Sequence, residues 1–114
     1  MKPPPGTKLC RLDEIDEPGA KGFSYGSGRD FFALFAVRHA GRVHLYVNEC
    51  PHAYTTLDAP DDHFLSSART EIMCATHGAR FTLDTGICIA GPWYGRSLQR
   101  LSGHVEDGWV VLDS

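Results

Sequence analysis

The amino-acid sequence predicts an all-β fold, an antiparallel sandwich or barrel, on three observations. The chain has 114 residues, which is the length of one domain. Short runs rich in β-branched and aromatic residues alternate with turns that contain Gly, Pro or Asp. No segment carries a convincing apolar stripe at helical spacing. We therefore expect a single domain over residues 1–114 that is built from short strands.

The first predicted strand is an edge strand at residues 9–12, and residues 22–28 show too little pattern for an element. A β-hairpin follows, with strands at residues 31–38 and 42–48 around a turn that contains Gly41. In its second strand, apolar residues alternate with polar ones, so we expect one core face and one polar face. The predicted core face holds Val43, Leu45 and Val47, and the polar face holds Arg42, His44, Tyr46 and Asn48.

The second half of the chain continues in the same way. Residues 53–69 are rich in turn-forming residues and predict a surface insertion without a helix. Two hairpins are expected, one around residues 84–86 and one around Asp107-Gly108. Leu98 and Leu101 break the alternation of the last hairpin, which indicates a bulge. The predicted strands of this half are residues 71–73, 79–83, 87–89, 97–106 and 109–112.

Charge and composition exclude several classes of protein. The formal net charge is −3, whereas a nucleic-acid-binding domain is typically basic. No apolar stretch reaches the length of about 18 residues that a membrane span requires. The N-terminal segment lacks the apolar region of a secretory signal, so we expect a cytoplasmic protein. Of the four cysteines, we interpret Cys10 and Cys88 as small buried apolar residues.

The other two cysteines belong to a metal-binding pattern. The sequence Cys50-Pro51-His52 is followed, after 21 residues, by Cys74-Ala75-Thr76-His77. Two Cys and two His fit either a tetrahedral zinc ion or a two-iron cluster. A structural zinc finger usually pairs Cys with Cys and His with His, but each half-site here is mixed. In a Rieske centre one iron keeps two Cys and the other takes two His, so mixed half-sites reach both irons.

The two half-sites resemble the two boxes of the Rieske [2Fe–2S] proteins, and the resemblance continues around them. Residues 81–86 are similar to the strand and turn after the second box, and Gly91-Pro92 is similar to the proline loop over the cluster. The resemblance implies an antiparallel Rieske-type sandwich with a small cluster-binding subdomain, residues 46–92. It also implies one [2Fe–2S] cluster, with Cys50 and Cys74 on one iron and His52 and His77 on the other.

The sequence departs from the family pattern at several positions, and these departures indicate which Rieske proteins it resembles. Rieske proteins of respiratory complexes tie the boxes together with a disulfide, but Thr55 and Thr76 stand near those places here. The same proteins place a Ser and a Tyr after the second box, where this chain has Ala79 and Phe81. The sequence is therefore similar to soluble Rieske ferredoxins and related small subunits.

This resemblance implies a soluble one-electron carrier between a flavin-dependent reductase and a terminal oxygenase. A catalytic oxygenase subunit would need a further iron domain, for which we expect 114 residues to be too few. One alternative is the small Rieske-like subunit of an NAD(P)H-dependent nitrite reductase, with the large subunit as partner. A zinc-stabilised interaction module is the alternative from another class. Whether the chain is itself an enzyme stays open at this point.

Overall fold

The computed structural model describes residues 3–26, 28, 31–49, 65, 71–73, 79–90 and 96–113. Within these residues ten strands form three antiparallel sheets, and a 3-10 turn lies at Leu12–Glu14. The all-β prediction is therefore confirmed. The strands are β1 (Lys8–Arg11), β2 (Gly19–Tyr25), β3 (Phe32–His39), β4 (Arg42–Val47), β5 (Ile72–Met73), β6 (Arg80–Phe81), β7 (Cys88–Ala90), β8 (Arg100–Leu101), β9 (Gly103–Glu106) and β10 (Trp109–Leu112).

The largest sheet has the strand order β2-β3-β4-β8. Its centre is the predicted hairpin, in which His39 pairs with Arg42 and the turn residues Ala40 and Gly41 both have positive φ. The sequence did not predict β2, although β2 pairs with β3 from Gly19 opposite Arg38 onward. The residues of β2 are rich in Gly and small side chains, so the strand depends on its partner rather than on its own propensity.

Strands β3 and β4 are covered on both faces. On one face, Phe35 and Val37 of β3 join Tyr46 of β4 in a buried cluster; on the other face, Ala36 joins Leu45 in a second cluster. We call these the site-side core and the far core. The site-side core consists of Phe35, Val37, Tyr46, Ile72, Ala79, Phe81, Leu83, Cys88 and Leu98. The far core consists of Cys10, Ile15, Ala36, Leu45, Val110 and Leu112.

The prediction of a polar face on β4 is wrong at the end of the strand. Tyr46 is fully buried and Asn48, just beyond the strand, is 8% exposed. The face that would meet solvent in a two-layer fold is instead covered by the small sheet β5-β6-β7, which contributes Ile72 and Phe81. The strand therefore separates two cores, and a polar residue at its end needs a hydrogen-bonding partner inside the protein.

The third sheet has the order β1-β10-β9. The single strand predicted at residues 97–106 is divided, because β8 pairs with β4 and β9 pairs with β10. The division occurs where Gly103 follows Ser102. A Cβ atom on Gly103 would lie 2.9 Å from the carbonyl oxygen of Val111 and would overlap the Leu45 side chain. The broken alternation thus marks a change of sheet rather than a bulge.

Both cysteines outside the predicted boxes are buried free thiols, as expected. Cys10 is 4% exposed in the far core, and Cys88 is 1% exposed in the site-side core. Burial raises the pKa of the Cys10 thiol, and the neighbouring Glu14 carboxylate raises it further. Neither residue has the electropositive, accessible surroundings of a reactive thiol. None of the helices in the described ranges is long and apolar enough to cross a membrane.

Candidate metal centre

The predicted ligands lie outside the described residues: Cys50, His52, Cys74 and His77. The predicted proline loop, Gly91-Pro92, lies outside them as well. The structure does describe the residues on both sides of segments 74–78 and 91–95, and those that precede residue 50. These flanks show how the fold presents the three segments, while the ligand assignment itself stays a prediction.

Strand β4 leads to the first segment and is held on two sides just before it. The amide of Val47 donates to the carbonyl oxygen of Gln99 at 2.9 Å. The amide of Asn48 donates to the carbonyl oxygen of Ala33, also at 2.9 Å. Cys50 therefore follows, after only one intervening residue, a backbone amide that is hydrogen-bonded to β3. A fixed strand end is a suitable support for a ligand.

The second segment is the connection of a β-hairpin. Met73 of β5 lies opposite Arg80 of β6 in an antiparallel pair. One position further from the segment, Ile72 lies opposite Phe81, and both side chains are completely buried. The base of this hairpin is thus closed by an apolar pair in the site-side core. A closed base of this kind is a suitable support for the predicted ligands of the second box.

The third segment, residues 91–95, also has a closed base. The amide of Cys88 donates to the carbonyl oxygen of Arg96 at 2.7 Å, which joins the two ends of the segment. The amide of Leu98 donates to the carbonyl oxygen of Gly86 at 2.8 Å, which continues the same pairing. The described residues on both sides of the predicted proline loop are therefore paired with each other.

All three flanks meet in the site-side core. Tyr46 stands near the end of β4, Ile72 and Phe81 close the second hairpin, and Cys88 and Leu98 flank the third segment. The four-stranded sheet and the small sheet consequently pack through the same side chains that support the three segments. The described residues that flank the predicted ligand segments therefore belong to one buried cluster.

The structure describes two positions at which the sequence departs from the Rieske proteins of respiratory complexes. Ala79 and Phe81 are both completely buried and both belong to the site-side core. Neither side chain carries a hydroxyl group, so neither donates a hydrogen bond toward the segment 74–78. At these two positions the chain therefore supplies apolar packing instead of a donor to sulfur.

The residues present fit a Rieske cluster. The donor set has two thiolates and two imidazoles, which is the ligand set of a Rieske [2Fe–2S] centre. The two half-sites are supported by different sheets whose flanks share one core, which allows both to face one cluster. Among the described residues, no group of three or more His, Cys, Asp or Glu side chains forms another candidate metal site.

The three other described histidines lie on strands β3, β4 and β9. His44 of β4 is half-buried, and burial lowers its pKa, with a further lowering by the nearby Arg100 guanidinium. His104 of β9 contacts Asp113 through Nδ1 at 2.5 Å. His39 is half-buried at the end of β3, and His63 lies outside the described residues. None of these residues was predicted as a ligand.

Sequence reasoning missed the residues that join the supports of the site. The hydroxyl of Tyr46 donates to the carbonyl oxygen of Leu83 at 2.8 Å, although Tyr46 was assigned to a polar, solvent-facing row. Arg80 and Glu71 form an ion pair at the second hairpin, 3.2 Å between Nη1 and Oε1. The run of apolar residues in β3 was the available signal, because a strand without alternation is covered on both faces.

A family model described as the Rieske [2Fe-2S] domain matches residues 7–102. The ferredoxin of carbazole 1,9a-dioxygenase from Nocardioides aromaticivorans IC177 has a similar structure, with a TM-score of 0.71 and 21% identity over 96% of this chain and 98% of that chain. The Sphingomonas yanoikuyae B1 ferredoxin has a TM-score of 0.65 and 25% identity, also over 96% of this chain and 98% of that chain.

A larger protein contains the same fold as one of its parts. The terminal oxygenase of carbazole 1,9a-dioxygenase from Novosphingobium sp. KA1 matches with a TM-score of 0.75 and 20% identity, over 96% of this chain but 29% of that chain. A comparison with curated proteins finds no match. The family match covers most of the chain, from β1 to the start of β9, including both predicted boxes. The chain therefore belongs to the Rieske [2Fe–2S] domain family.

Proposed function

We propose that this protein carries single electrons from a flavin-dependent reductase to a terminal oxygenase. One Rieske [2Fe–2S] cluster is held by Cys50 and Cys74 on one iron and by His52 and His77 on the other. The cluster-binding subdomain spans residues 46–92 of one domain, residues 1–114. When bound, the cluster supplies a site that accepts and releases one electron without an open coordination position.

The observation that carries this proposal is the whole-length likeness to ferredoxins. The chain covers 98% of each of two ferredoxins, whereas it covers 29% of an oxygenase that contains the same fold. A further similar structure, with a TM-score of 0.71 and 18% identity, comes from a complex of reduced oxygenase and oxidized ferredoxin in carbazole 1,9a-dioxygenase. An oxygenase is accordingly the class of partner that we assign as the electron acceptor of this protein.

The surface near the third segment supports a transient docking role. Ile87, just before β7, is 45% exposed, and Ile89 of β7 is 41% exposed. Strand β7 leads to residues 91–95. Arg96, at the far end of that segment, is also exposed. A small apolar surface with a charged rim is typical of short-lived electron-transfer contacts, which bury less than about 1,200 Å² in total. We expect the partner to contact this edge of the small sheet.

A cytoplasmic location is part of the same proposal. The two described cysteines are free thiols, and the predicted cluster requires two more cysteines as thiolates. Free thiols and thiolate ligands are characteristic of reducing compartments, in which disulfides are rare. A flavin-dependent reductase fed by a nicotinamide cofactor would work in the same compartment.

The test begins with the composition of the purified protein. We expect about two irons and two labile sulfides per chain, with the visible absorption of a Rieske cluster. Reduced protein should then be reoxidised by a Rieske-type terminal oxygenase, and oxidised protein should be reduced by a flavin-dependent reductase. A colourless protein with one zinc per chain would instead support the interaction module. A cluster that neither accepts electrons from such a reductase nor passes them on would contradict the carrier role.

A further inference from the structure

The Tyr46 side chain connects the two sheets that support the predicted ligands. It is completely buried, and its hydroxyl donates to the carbonyl oxygen of Leu83 at 2.8 Å. Tyr46 lies on β4, four residues before Cys50 in the sequence. Leu83 lies two residues beyond β6, the strand that follows the predicted second box. This hydrogen bond therefore joins the support of one box to the support of the other.

The ring of Tyr46 occupies a closely fitted space. Its centroid is 5.5 Å from that of Phe35, with the two rings tilted by 35°. Gly86 also lies close to the ring, because a Cβ atom at this position would be 2.7 Å from the Tyr46 Cε1 atom. Gly86 also has a φ of +72°, which favours glycine independently of space. The ring is thus confined between β3 and the turn that holds Leu83.

The turn that receives this hydrogen bond is coupled to the third segment as well. The amide of Gly86 donates to the carbonyl oxygen of Thr82 at 3.0 Å, which closes the turn between β6 and β7. The carbonyl oxygen of Gly86 accepts from the amide of Leu98 at 2.8 Å, beyond residues 91–95. A displacement of Leu83 relative to Tyr46 would therefore move the bases of the second and third segments together.

The hydroxyl group of Tyr46 adds a directional contact that the ring alone does not supply. Apolar packing between two sheets is not directional, so it does not by itself fix how far one sheet slides over the other. A hydrogen bond has a preferred length and angle, and inside a protein an unpaired hydroxyl is unfavourable. The single position that satisfies the phenol is therefore also the position that sets the offset between the sheets.

We propose that Tyr46 is a positioning residue, whose hydroxyl bond to Leu83 sets the geometry with which the two halves of the ligand set meet. This inference rests on the proposed function, because it assumes that Cys50, His52, Cys74 and His77 bind one cluster. Tyr46 is not one of the predicted ligands. It acts through β4 on the first box and through the β6–β7 turn on the second box.

The first test is the Tyr46→Phe variant, which keeps the ring and removes only the hydroxyl. We expect it to retain its iron and sulfide but to change the electron paramagnetic resonance spectrum of the reduced cluster. The ratio of oxidised to reduced protein at a fixed solution potential should change at least threefold, which is about 28 mV for a one-electron couple. A purely structural role would lower stability and leave both measurements unchanged.

Val110→Ala is the matched control, because Val110 is completely buried in the far core. It should lower the unfolding midpoint in urea while the spectrum and the potential stay as in the wild type. If the Tyr46→Phe spectrum and potential equal those of the wild type, or if Val110→Ala changes them as much, the inference is overturned. A wild-type protein without a cluster would overturn the proposed function itself, and this inference with it.

A second variant tests the same geometry should Tyr46→Phe fail to fold. Gly86→Ala keeps the hydroxyl but places a methyl group against the Tyr46 ring. Gly41→Ala is its control, because Gly41 has a similar φ of +75° and no atom within 4 Å of the added Cβ. We expect the spectral change in Gly86→Ala and not in Gly41→Ala. Identical spectra for the two variants would overturn the inference.

Discussion

Arg80 and Glu71 form an ion pair beside the hairpin that connects β5 to β6, with 3.2 Å between Nη1 and Oε1. The Arg80 side chain is about half exposed, so water and salt screen the pair. Exposed ion pairs of this kind usually stabilise a fold by less than about 1 kcal/mol. The neighbouring pair of Ile72 and Phe81 is fully buried and should stabilise the hairpin more strongly.

A double-mutant cycle separates these two contributions. Glu71→Gln and Arg80→Gln, alone and together, should give a coupling energy below about 1 kcal/mol that decreases with added salt. Ile72→Ala should cost about 2–5 kcal/mol, because it leaves a cavity in the site-side core. Urea unfolding at low and high salt measures both quantities. A coupling energy as large as the loss in Ile72→Ala would show that the charges, and not the apolar pair, hold the hairpin.

The ligand assignment predicts a collapse of cluster content in two variants. His52→Ala and His77→Ala each remove one imidazole from the iron that takes nitrogen ligands. We expect iron and labile sulfide in both variants to fall far below the wild-type level. His39→Ala is the control, since His39 is a half-buried imidazole on β3 that matches no box. Full iron and sulfide in either ligand variant would show that the residue is not a ligand.

The missing hydroxyl groups predict a low reduction potential. Rieske centres range from about −150 to +300 mV, and hydrogen bonds to the cluster sulfurs raise the value because reduction adds negative charge. Since Ala79 and Phe81 supply no hydroxyl, we expect a midpoint in the lower half of this range. A redox titration at neutral pH measures it, and a midpoint in the upper half would contradict the role of these positions.

The converse change should raise the potential. Ala79→Ser and Phe81→Tyr introduce hydroxyl groups at two completely buried positions next to the second box. If those hydroxyl groups donate to the cluster sulfurs, the midpoint potential rises. The same hydrogen bonds offset the free-energy cost of burying each hydroxyl group. Ala36→Ser in the far core is the control, because it adds a buried hydroxyl away from the site and should lower stability by about 1–3 kcal/mol without a shift. Equal midpoints in all three variants would refute the prediction.

The Gly86→Ala and Gly41→Ala variants should also differ in their free energies of unfolding. Gly86→Ala and Gly41→Ala place a side chain at nearly the same positive φ, so both pay the same backbone cost of about 1–2 kcal/mol. Only Gly86→Ala adds an overlap with Tyr46, at 2.7 Å from Cε1. We therefore expect a further loss of about 1–3 kcal/mol in Gly86→Ala. Chemical denaturation of the two proteins under the same conditions measures the difference, and equal stabilities would show that the ring has room to move.

Burial of Tyr46 predicts a stability loss at alkaline pH. Burial raises the pKa of its phenol to about 12, whereas the unfolded chain has a value near 10. Between these two pH values the folded protein keeps the phenol proton, whereas the unfolded chain releases it. The contribution of Tyr46 to the free energy of unfolding is therefore complete below pH 10 and is lost as the pH rises through 12. Two pKa units correspond to about 2–3 kcal/mol at most.

Denaturation between about pH 9 and 12 measures this contribution. Tyr46→Phe should remove the contribution of Tyr46 and flatten the profile in this range. Tyr25→Phe is the comparison, because it removes the other described tyrosine with a raised pKa and leaves Tyr46 in place. A wild-type profile in Tyr46→Phe would show that the buried phenol does not control alkaline stability.

Much of the fold follows from local patterns in the sequence. The β3–β4 hairpin was predicted because its two apolar runs flank a Gly-containing turn, and both turn residues do have positive φ. The hairpin of β9 and β10 follows in the same way from Asp107-Gly108. Strand β2 was not predictable, because its Gly-rich sequence has low intrinsic preference and pairing with β3 determines its conformation.

The candidate site was predicted from the spacing of its residues, whereas the contacts that join its supporting strands were not predicted. Mixed Cys and His half-sites indicate the chemistry of the centre whatever the surrounding fold. By contrast, the burial of Tyr46 depends on the small sheet that covers β4, and those residues are 26 or more positions away in the chain. Local alternation carries no information about such a contact. The role of Tyr46 therefore emerged only from the tertiary structure.

Strand β3 has a further consequence for how the protein opens. Its backbone is paired with β2 on one side and β4 on the other, and its residues 34–37 have no solvent-accessible surface. Amide hydrogens in such a place exchange with deuterium only when the whole domain unfolds. The exchange rates at Leu34 and Ala36 therefore report global stability, and comparing them with rates at Arg80 would separate loosening of the second hairpin from unfolding of the domain.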